Sequence, residues 1–211
     1  MVNLTKIYTR TGDLGQTRLV DMSVTDKTDP RVAAYGDVDE ANSTIGVALA
    51  IGELPDPVRA VLAQVQNELF DLGADLGNPL ATAYQFEPLR ITQDYIDRLE
   101  HWCDEFTADL PTLRSFILPS GSPAGAQLHV ARTVTRRAER TAWQAIQRYG
   151  TEPADEDQDR PGGINPLAVG YLNRLSDLLF ILTRVVNGTE HEVLWVPGGD
   201  RHRAAGDDAE T

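Results

Sequence analysis

The sequence predicts an all-α protein: a single five-helix bundle that follows a non-helical N-terminal arm. Four times a polar residue that caps helices stands directly before a proline, at positions 29–30, 56–57, 122–123 and 165–166. A polar cap followed by proline at the first helical position marks a helix start. The chain has 211 residues, of which 41% are hydrophobic, and no internal repeat. Such a length predicts one domain with a sizeable core.

The first three helices are expected at about 30–52, 57–77 and 93–109. The first begins after Asp29 and the second after Asp56. The third begins after Thr92, and Asp94 in its first turn is favoured by the helix dipole. Apolar residues recur every three or four positions along the second helix, which predicts a core stripe. They are Val58, Val61, Leu62, Val65, Leu69, Leu72 and Leu76.

The last two helices are expected at about 123–149 and 166–187. Gly150 and Gly188 follow them directly, as glycine often does at a helix end. The fifth helix carries a second core stripe of Leu172, Leu175, Leu179 and Leu182. The domain is expected to span residues 1–196, before a polar tail at 197–211 that is expected to fray.

The remaining segments show no helical period. Residues 1–28 are polar and contain glycine, and residues 113–118 and 193–196 are expected to be brief extended pieces. Residues 151–163 form an acidic loop that carries proline and glycine, and it is expected to be mobile.

Charge and composition exclude several function classes. The chain has 19 Lys+Arg against 32 Asp+Glu, a formal net charge of −13, and its only lysines are Lys6 and Lys27. This balance argues against nucleic-acid binding and against anionic membrane surfaces. The single Cys103 excludes an internal disulfide and a multi-cysteine metal site. With neither a signal peptide nor an apolar run of membrane-spanning length, we expect a cytoplasmic protein, and the excess acid suggests a saline cytoplasm.

The N-terminal arm contains a candidate phosphate-binding loop. Two glycines three residues apart can present backbone N–H groups to phosphate oxygens, and Arg10 and Lys27 could add positive charge. A simple turn is the alternative interpretation, and the pattern is not a Walker P-loop. The loop residues are Thr9, Arg10, Thr11, Gly12, Asp13, Gly15, Gln16 and Thr17.

The fourth helix carries a strip of three arginines. Arg132, Arg136 and Arg140 are four residues apart, so they share one helical face. Because like charges at this spacing repel, the strip needs an anionic partner. A triphosphate would suit the guanidinium forks, and acidic residues of a neighbouring helix are the alternative. Those acids are Asp37, Asp39 and Glu40. We expect His129, on the same helix, to be a packed core residue.

Polar residues within the first and fifth helices are expected to tie helices together. Residues 35–43 are polar within an otherwise apolar helix, and Asn173, Arg174 and Asp177 occupy neighbouring polar positions. Buried polar groups need partners, and the arginines of the fourth helix are the natural ones.

Together these segments resemble one enzyme family, the PduO-type ATP:cob(I)alamin adenosyltransferases. The resemblance rests on KIYTRTGDLGQTRL, DPRVAAYGDVDEANSTIG, FILPSGSPAGAQLHVARTVTRRAERTAW and YLNRLSD, which lie in this order between Lys6 and Asp177. It implies a five-helix bundle that assembles as a homotrimer with active sites between subunits. It also implies transfer of the 5′-deoxyadenosyl group of MgATP to the cobalt of reduced cobalamin, with release of triphosphate.

The resemblance also implies roles for individual residues. Thr9 through Thr17, with Lys27, would wrap the ATP, and Asn173 would contact the nucleotide. The phosphates and their Mg²⁺ would lie near Arg136, Arg137, Glu139 and Arg140. Arg132 would pair with Asp39 across the subunit boundary. Phe116 would lie beneath the corrin ring and displace the lower axial ligand of cobalt(II).

Two departures from the family pattern and three rival interpretations stay open. Ser120 stands where the family commonly has a glycine, and the acidic loop is long; a role for Trp195 near the corrinoid is open. A ferritin-like di-metal bundle needs Glu-x-x-His pairs, which none of the four histidines provides. A non-catalytic regulatory trimer and a purely structural bundle are the other rivals. The resemblance also implies two protein partners: a reductase for cobalt(II), and an enzyme that uses adenosylcobalamin.

Overall fold

The computed structural model describes Tyr8, residues 10–155 and residues 161–199. It contains the five predicted helices, and their bounds lie within two residues of the predicted ones. They are α1 Pro30–Ile51, α2 Asp56–Leu76, α3 Gln93–Thr107, α4 Pro123–Tyr149 and α5 Pro166–Asn187. Among these described residues, none of the helices has the length and apolar character needed to cross a bilayer.

The helix starts follow the predicted caps with one correction. The side chains of Asp29, Ser122 and Asn165 each accept a backbone N–H from the first turn of their helix. The prediction of Asp56 as a cap was wrong, because the helix begins one residue earlier and Pro55 occupies the cap position. Asp56 lies in the first turn instead, where the helix dipole favours its carboxylate.

The core is built on helix α4. Helix α4 packs against α1 on one side and α5 on the other, while α2 covers α1 and α3 covers α5. Both predicted leucine and valine stripes are buried. The buried carboxylate of Glu68 on α2 is hydrogen-bonded to two other helices. It accepts from Tyr171 Oη of α5 and from Arg98 Nε of α3, each at 2.8 Å. The core therefore fixes the rotation of α4, and with it the directions in which the arginines of α4 point.

The described part of the N-terminal segment contains a short β-hairpin that was not predicted. Strands β1 (Gln16–Arg18) and β2 (Val24–Asp26) pair antiparallel, with Thr17 opposite Thr25. The hairpin is joined to the bundle by the Val20 N–H, which donates to Gly77 O at 3.0 Å, and by Thr25 Oγ1, which donates to Asp29 at 3.1 Å. The arm is therefore anchored beside the start of α1.

Buried Arg31 holds the C-terminal end of the acidic loop against the bundle. Its guanidinium donates to Leu76 O at 3.1 Å and to Gly162 O at 2.6 Å, and it stacks on Tyr149 at 4.9 Å. Gly162 is required here, because a Cβ atom would lie 1.6 Å from Leu80 O. Residues 156–160 of the loop, and residues 200–211 of the tail, lie outside the described residues.

The two predicted extended pieces pair with each other at one end of the bundle. Ile117 and Leu194 form an antiparallel bridge, and the Trp195 N–H donates to Phe116 O at 2.7 Å. A short 3₁₀ helix, Thr189–His191, connects α5 to this pair.

Candidate active site

The candidate phosphate-binding loop closes around Lys27. The backbone N–H of Lys27 donates to Gly15 O at 2.8 Å, and a Cβ atom at Gly12 would lie 3.0 Å from Lys27 Nζ. Gly15 has a φ of 86°, in the left-handed region that favours glycine, and Arg10 has a φ of 63°. The structure therefore brings together a loop and a lysine that are distant in sequence.

The other loop residues are open to solvent or half-buried. Arg10, Thr11, Asp13 and Gln16 are exposed, and Thr17 is half-buried beside Tyr35. Thr9 lies outside the described residues. A glycine-bearing loop with an ammonium group lying over it offers both N–H dipoles and a positive charge to an anion.

Two arginines of the strip line a groove between α4 and α5. Arg132 and Arg136 share this groove of about 220 Å³, hereafter the arginine groove, with four residues of α5. Those residues are Ser176, Asp177, Phe180 and Ile181. Within the described part of the chain, no ion pair joins Arg132, Arg136 or Arg140 to a carboxylate. Arg140 donates to Arg136 O at 3.0 Å.

Arg137 is the arginine that neighbouring acids hold. Its Nε lies 3.3 Å from the carboxylate of Asp37, and its terminal nitrogen donates to Glu40. The hydrogen bond to Glu40 raises the pKa of Arg137. Pairing with acids of the neighbouring helix therefore occurs at Arg137, and Arg136 keeps its charge facing the arginine groove.

Asn173 and Glu139 lie together beyond the Arg136 end of the groove. Asn173 Nδ2 donates to Glu139 Oε1 at 3.2 Å. Arg174, from the same polar segment, instead pairs with Glu100 at 3.0 Å and with Asp177 at 2.8 Å. Among the residues that the structure describes, no three His, Cys, Asp or Glu side chains form a group able to hold a metal.

His129 lies one turn before Arg132 on α4 and is buried. Both of its ring nitrogens, and the Nε of Arg132, have no hydrogen-bond partner in the described part of the chain. Burial lowers the pKa of His129 below its ordinary value, and the charge of Arg132 lowers it further. Burial also lowers the pKa of Arg132. The prediction of a buried histidine holds, but its unpartnered nitrogens were not foreseen.

Asp39 lies in a different groove from Arg132. Its groove, between α1 and α2, has a volume of about 280 Å³, and we call it the aspartate groove. It is lined by Asp39, Asn42, Ser43, Gln66, Asn67 and Phe70. Phe70 is 71% exposed. The described residues of a single chain therefore do not bring Asp39 and Arg132 together.

Phe116 belongs to an exposed apolar surface. Its ring is 79% exposed and meets the Trp195 ring edge-on, with centroids 6.2 Å apart. Other exposed apolar side chains surround this pair: Leu118, Val193, Leu194 and Val196. We call these six residues the apolar platform. An exposed apolar surface of this kind is typical of an interaction or ligand-binding site.

Asn187 fixes the turn between this platform and α4, a role that was not predicted from the sequence. Its side chain accepts from the Ser122 N–H at 3.0 Å and donates to Ser120 O at 3.0 Å. A Cβ atom at Gly121 would lie 2.3 Å from the Asn187 amide, and one at Gly125 would lie 1.9 Å from it. These two glycines lie on either side of the start of α4. They are the sequence signal that could have indicated a side chain packed closely against this turn.

A larger cavity than these two grooves lies elsewhere in the described chain. It has a volume of about 860 Å³, lies between the hairpin and residues 78–89, and contains none of the predicted site residues. Its walls carry both apolar and acidic side chains, including Phe86 and Asp155. Arg31 also lines it, and its guanidinium donates to the carbonyl groups of Leu76 and Gly162.

Known proteins share both the sequence and the fold. The family model described as cobalamin adenosyltransferase matches residues 7–186. The corrinoid adenosyltransferase of Mycobacterium tuberculosis is 56% identical over 200 residues, which is 95% of this chain and 97% of that protein. The corrinoid adenosyltransferase of Bacillus subtilis is 42% identical over 185 residues, 86% of each chain.

A solved structure also shares the fold of this chain. It is that of a variant PduO-type ATP:corrinoid adenosyltransferase from Lactobacillus reuteri complexed with cobalamin and ATP. The TM-score is 0.76 at 36% sequence identity, and the match covers 92% of this chain and 99% of that one.

Proposed function

The chain belongs to the cobalamin adenosyltransferases, a family of transferases, and from this premise we propose that it adenosylates reduced cob(I)alamin with MgATP. The products are adenosylcobalamin and triphosphate. The observation that carries the proposal is the arginine groove: in a chain of net charge −13, Arg136 faces a groove with no carboxylate paired to it in the described residues. Unpaired guanidinium groups of this kind suit a polyphosphate.

The protein must orient the two substrates and stabilise the charge of the leaving group, but it need not supply a nucleophile. Cobalt(I) of the substrate donates an electron pair to C5′ of ATP, the C5′–O5′ bond breaks, and triphosphate leaves with that electron pair. Arg136 and Arg140, with the loop of residues 9–17 and Lys27, stabilise the charge of the leaving group. The bound nucleotide also contacts Asn173.

Magnesium is expected to arrive with the phosphates. Mg²⁺ keeps several waters and commonly binds through one or two carboxylates together with substrate phosphates. Glu139, held by the Asn173 amide at 3.2 Å, fits the role of such a carboxylate. Magnesium supplies additional charge neutralisation on the phosphate oxygens.

The corrinoid is proposed to lie on the apolar platform. Phe116 fits beneath the corrin ring, where its bulk would displace the lower axial ligand and leave cobalt(II) four-coordinate and easier to reduce. Trp195 supports Phe116 through the edge-on ring contact. A reductase that delivers the electron to cobalt(II), and an enzyme that uses the product, are the partners proposed in a cytoplasmic setting.

We propose that the site is completed by a second copy of the chain in a homotrimer. The aspartate groove of one copy fits the arginine groove of the next in charge, since Asp39 and Arg132 have opposite charges and no ion-pair partner in the described chain. The two grooves also match in apolar surface, because exposed Phe70 of one groove would meet Phe180 and Ile181 of the other. A head-to-tail contact closes into a ring of three when neighbouring copies are related by a third of a turn, as the proposed trimer requires.

The experiment is incubation of the protein with MgATP and chemically reduced cobalamin at high and low salt. Absorbance follows the cobalt–carbon bond, and chromatography follows triphosphate. Equal amounts of adenosylcobalamin and triphosphate are expected. Binding of both ligands without product would favour the regulatory trimer instead.

A further inference from the structure

The buried polar atoms that lack partners concentrate on one turn of α4. Five such side-chain atoms occur in the described chain, and three of them belong to His129 and Arg132. Other buried polar side chains of the bundle have partners: Thr135 donates to Ala131 O at 2.8 Å, and Thr183 donates to Leu179 O at 2.8 Å. Buried donors and acceptors in native proteins are normally paired. The turn from His129 to Arg132 therefore needs an explanation.

The two side chains are suited to each other. Residues three apart on a helix are neighbours on one face, and His129 is close enough for the Arg132 charge to affect it. Arg132 offers an Nε–H donor, and a neutral imidazole offers one acceptor nitrogen. Because the Nε is the buried end of the guanidinium, the terminal nitrogens are left to face the arginine groove.

Deepening the proposed function, we propose that His129 is a positioning residue for Arg132. One bridging water accepts the hydrogen bond of the Arg132 Nε–H and donates to the neutral ring, and so fixes the plane of the guanidinium. Arg132 then presents its terminal nitrogens to its partner in the site in a single orientation. Without this contact the guanidinium can rotate, and the donor geometry that a planar fork provides is lost.

The surroundings keep His129 neutral. Arg132 is the charged neighbour on α4, and residues 41–51 of α1, which face this part of α4 through the contact of Gln127 with Thr44 O, contain no titratable side chain. On α5, Asp177 lies beside Arg132 in the groove, and Arg184 is held by Glu192 at 2.7 Å. Protonation of His129 would convert the acceptor into a second donor beside a cation, so acid should weaken the contact.

The test compares His129→Leu, which removes the acceptor, with His129→Gln, which keeps one. Hydrogen exchange of the Arg132 Nε–H is followed by NMR in the full-length protein with isotope-labelled arginine. We expect exchange about tenfold faster in His129→Leu and close to wild type in His129→Gln. Equal exchange in wild type and His129→Leu would overturn the proposal. This measurement needs neither ATP nor corrinoid, so its outcome is separate from that of the proposed function.

Adenosylation activity provides a second, independent test. The kcat/KM for adenosylation should fall about tenfold in His129→Leu, recover in His129→Gln, and fall no further when His129→Leu is added to Arg132→Lys, which has no Nε–H. Equal additional loss in the lysine background would contradict the proposal. If His129→Leu does not fold, the pH profile decides: acid should reduce wild-type activity more than that of His129→Gln, and identical profiles would refute the contact.

Discussion

Arg136 and Arg137 are adjacent in sequence, but the structure places their side chains in different surroundings. Arg136 faces the arginine groove without a carboxylate partner in the described chain, whereas Arg137 is held by Asp37 and Glu40. Replacing each by methionine keeps most of the side-chain volume and removes the charge. The pair is therefore a matched test of which arginine contacts the phosphates.

The structure sets the size of both effects. A hydrogen bond from a charged donor contributes about 1.5–3 kcal/mol, so Arg136→Met should weaken MgATP binding roughly 10- to 150-fold. Its free energy of unfolding should change by less than about 0.5 kcal/mol. The side chain of Arg137 is 42% exposed, so solvent screens its ion pairs, and Arg137→Met should reduce the free energy of unfolding by about 1 kcal/mol.

Calorimetric titration with MgATP and urea unfolding measure the two quantities on the same samples. We expect a weak MgATP affinity with normal stability for Arg136→Met, and the reverse for Arg137→Met. If Arg137→Met lost as much MgATP affinity as Arg136→Met at unchanged stability, the assignment of the two arginines would be refuted.

Three further predictions concern the platform, the core and acid stability. Phe116→Ala should impair adenosylation started from cobalt(II) more than adenosylation started from cobalt(I), because only the first needs the lower ligand displaced; equal losses by both routes would contradict the role of the ring. Leu172→Ala should cost about 2–5 kcal/mol in urea unfolding, since Leu172 is fully buried, and a cost below about 1 kcal/mol would show a core that can collapse around the gap. Because the folded-state pKa of His129 lies below its ordinary 6.5, the unfolded chain binds that proton more readily, so stability should fall as pH drops below about 6.5. His129→Gln should flatten this part of the stability curve, and an unchanged curve would count against the assignment.

The helices could be predicted because their signals are local. A polar cap followed by proline fixes a helix start within a residue or two, and Gly150 and Gly188, with φ values of 74° and 62°, fix two ends. The hairpin of residues 16–26 could not be predicted in this way. Its strands are three residues long and mostly exposed, so they carry no apolar alternation, and their pairing depends on contacts with Gly77 and Asp29.

The sequence points to the arginines of α4 as candidate site residues, but it does not give the directions in which their side chains point. Spacing alone places Arg136 and Arg137 about 100° apart around α4, and it cannot tell which of them faces α1. The packing of small residues such as Ala131, Ala138 and Ala142 sets that rotation, and it depends on the whole bundle. The closure of the loop around Lys27 and the meeting of Phe116 with Trp195 likewise depend on tertiary contacts.

If a second copy completes the site as proposed, the loop of one copy and the arginine groove of the next form one adenosylation site. Lys27→Met and Arg136→Met should each abolish most activity when present in every subunit. In mixed trimers assembled at equal ratio, about a quarter of the sites combine an intact loop with an intact groove, so adenosylcobalamin formation should return to about a quarter of the wild-type rate. Mixed trimers that form but stay as inactive as the two single variants would contradict the claim.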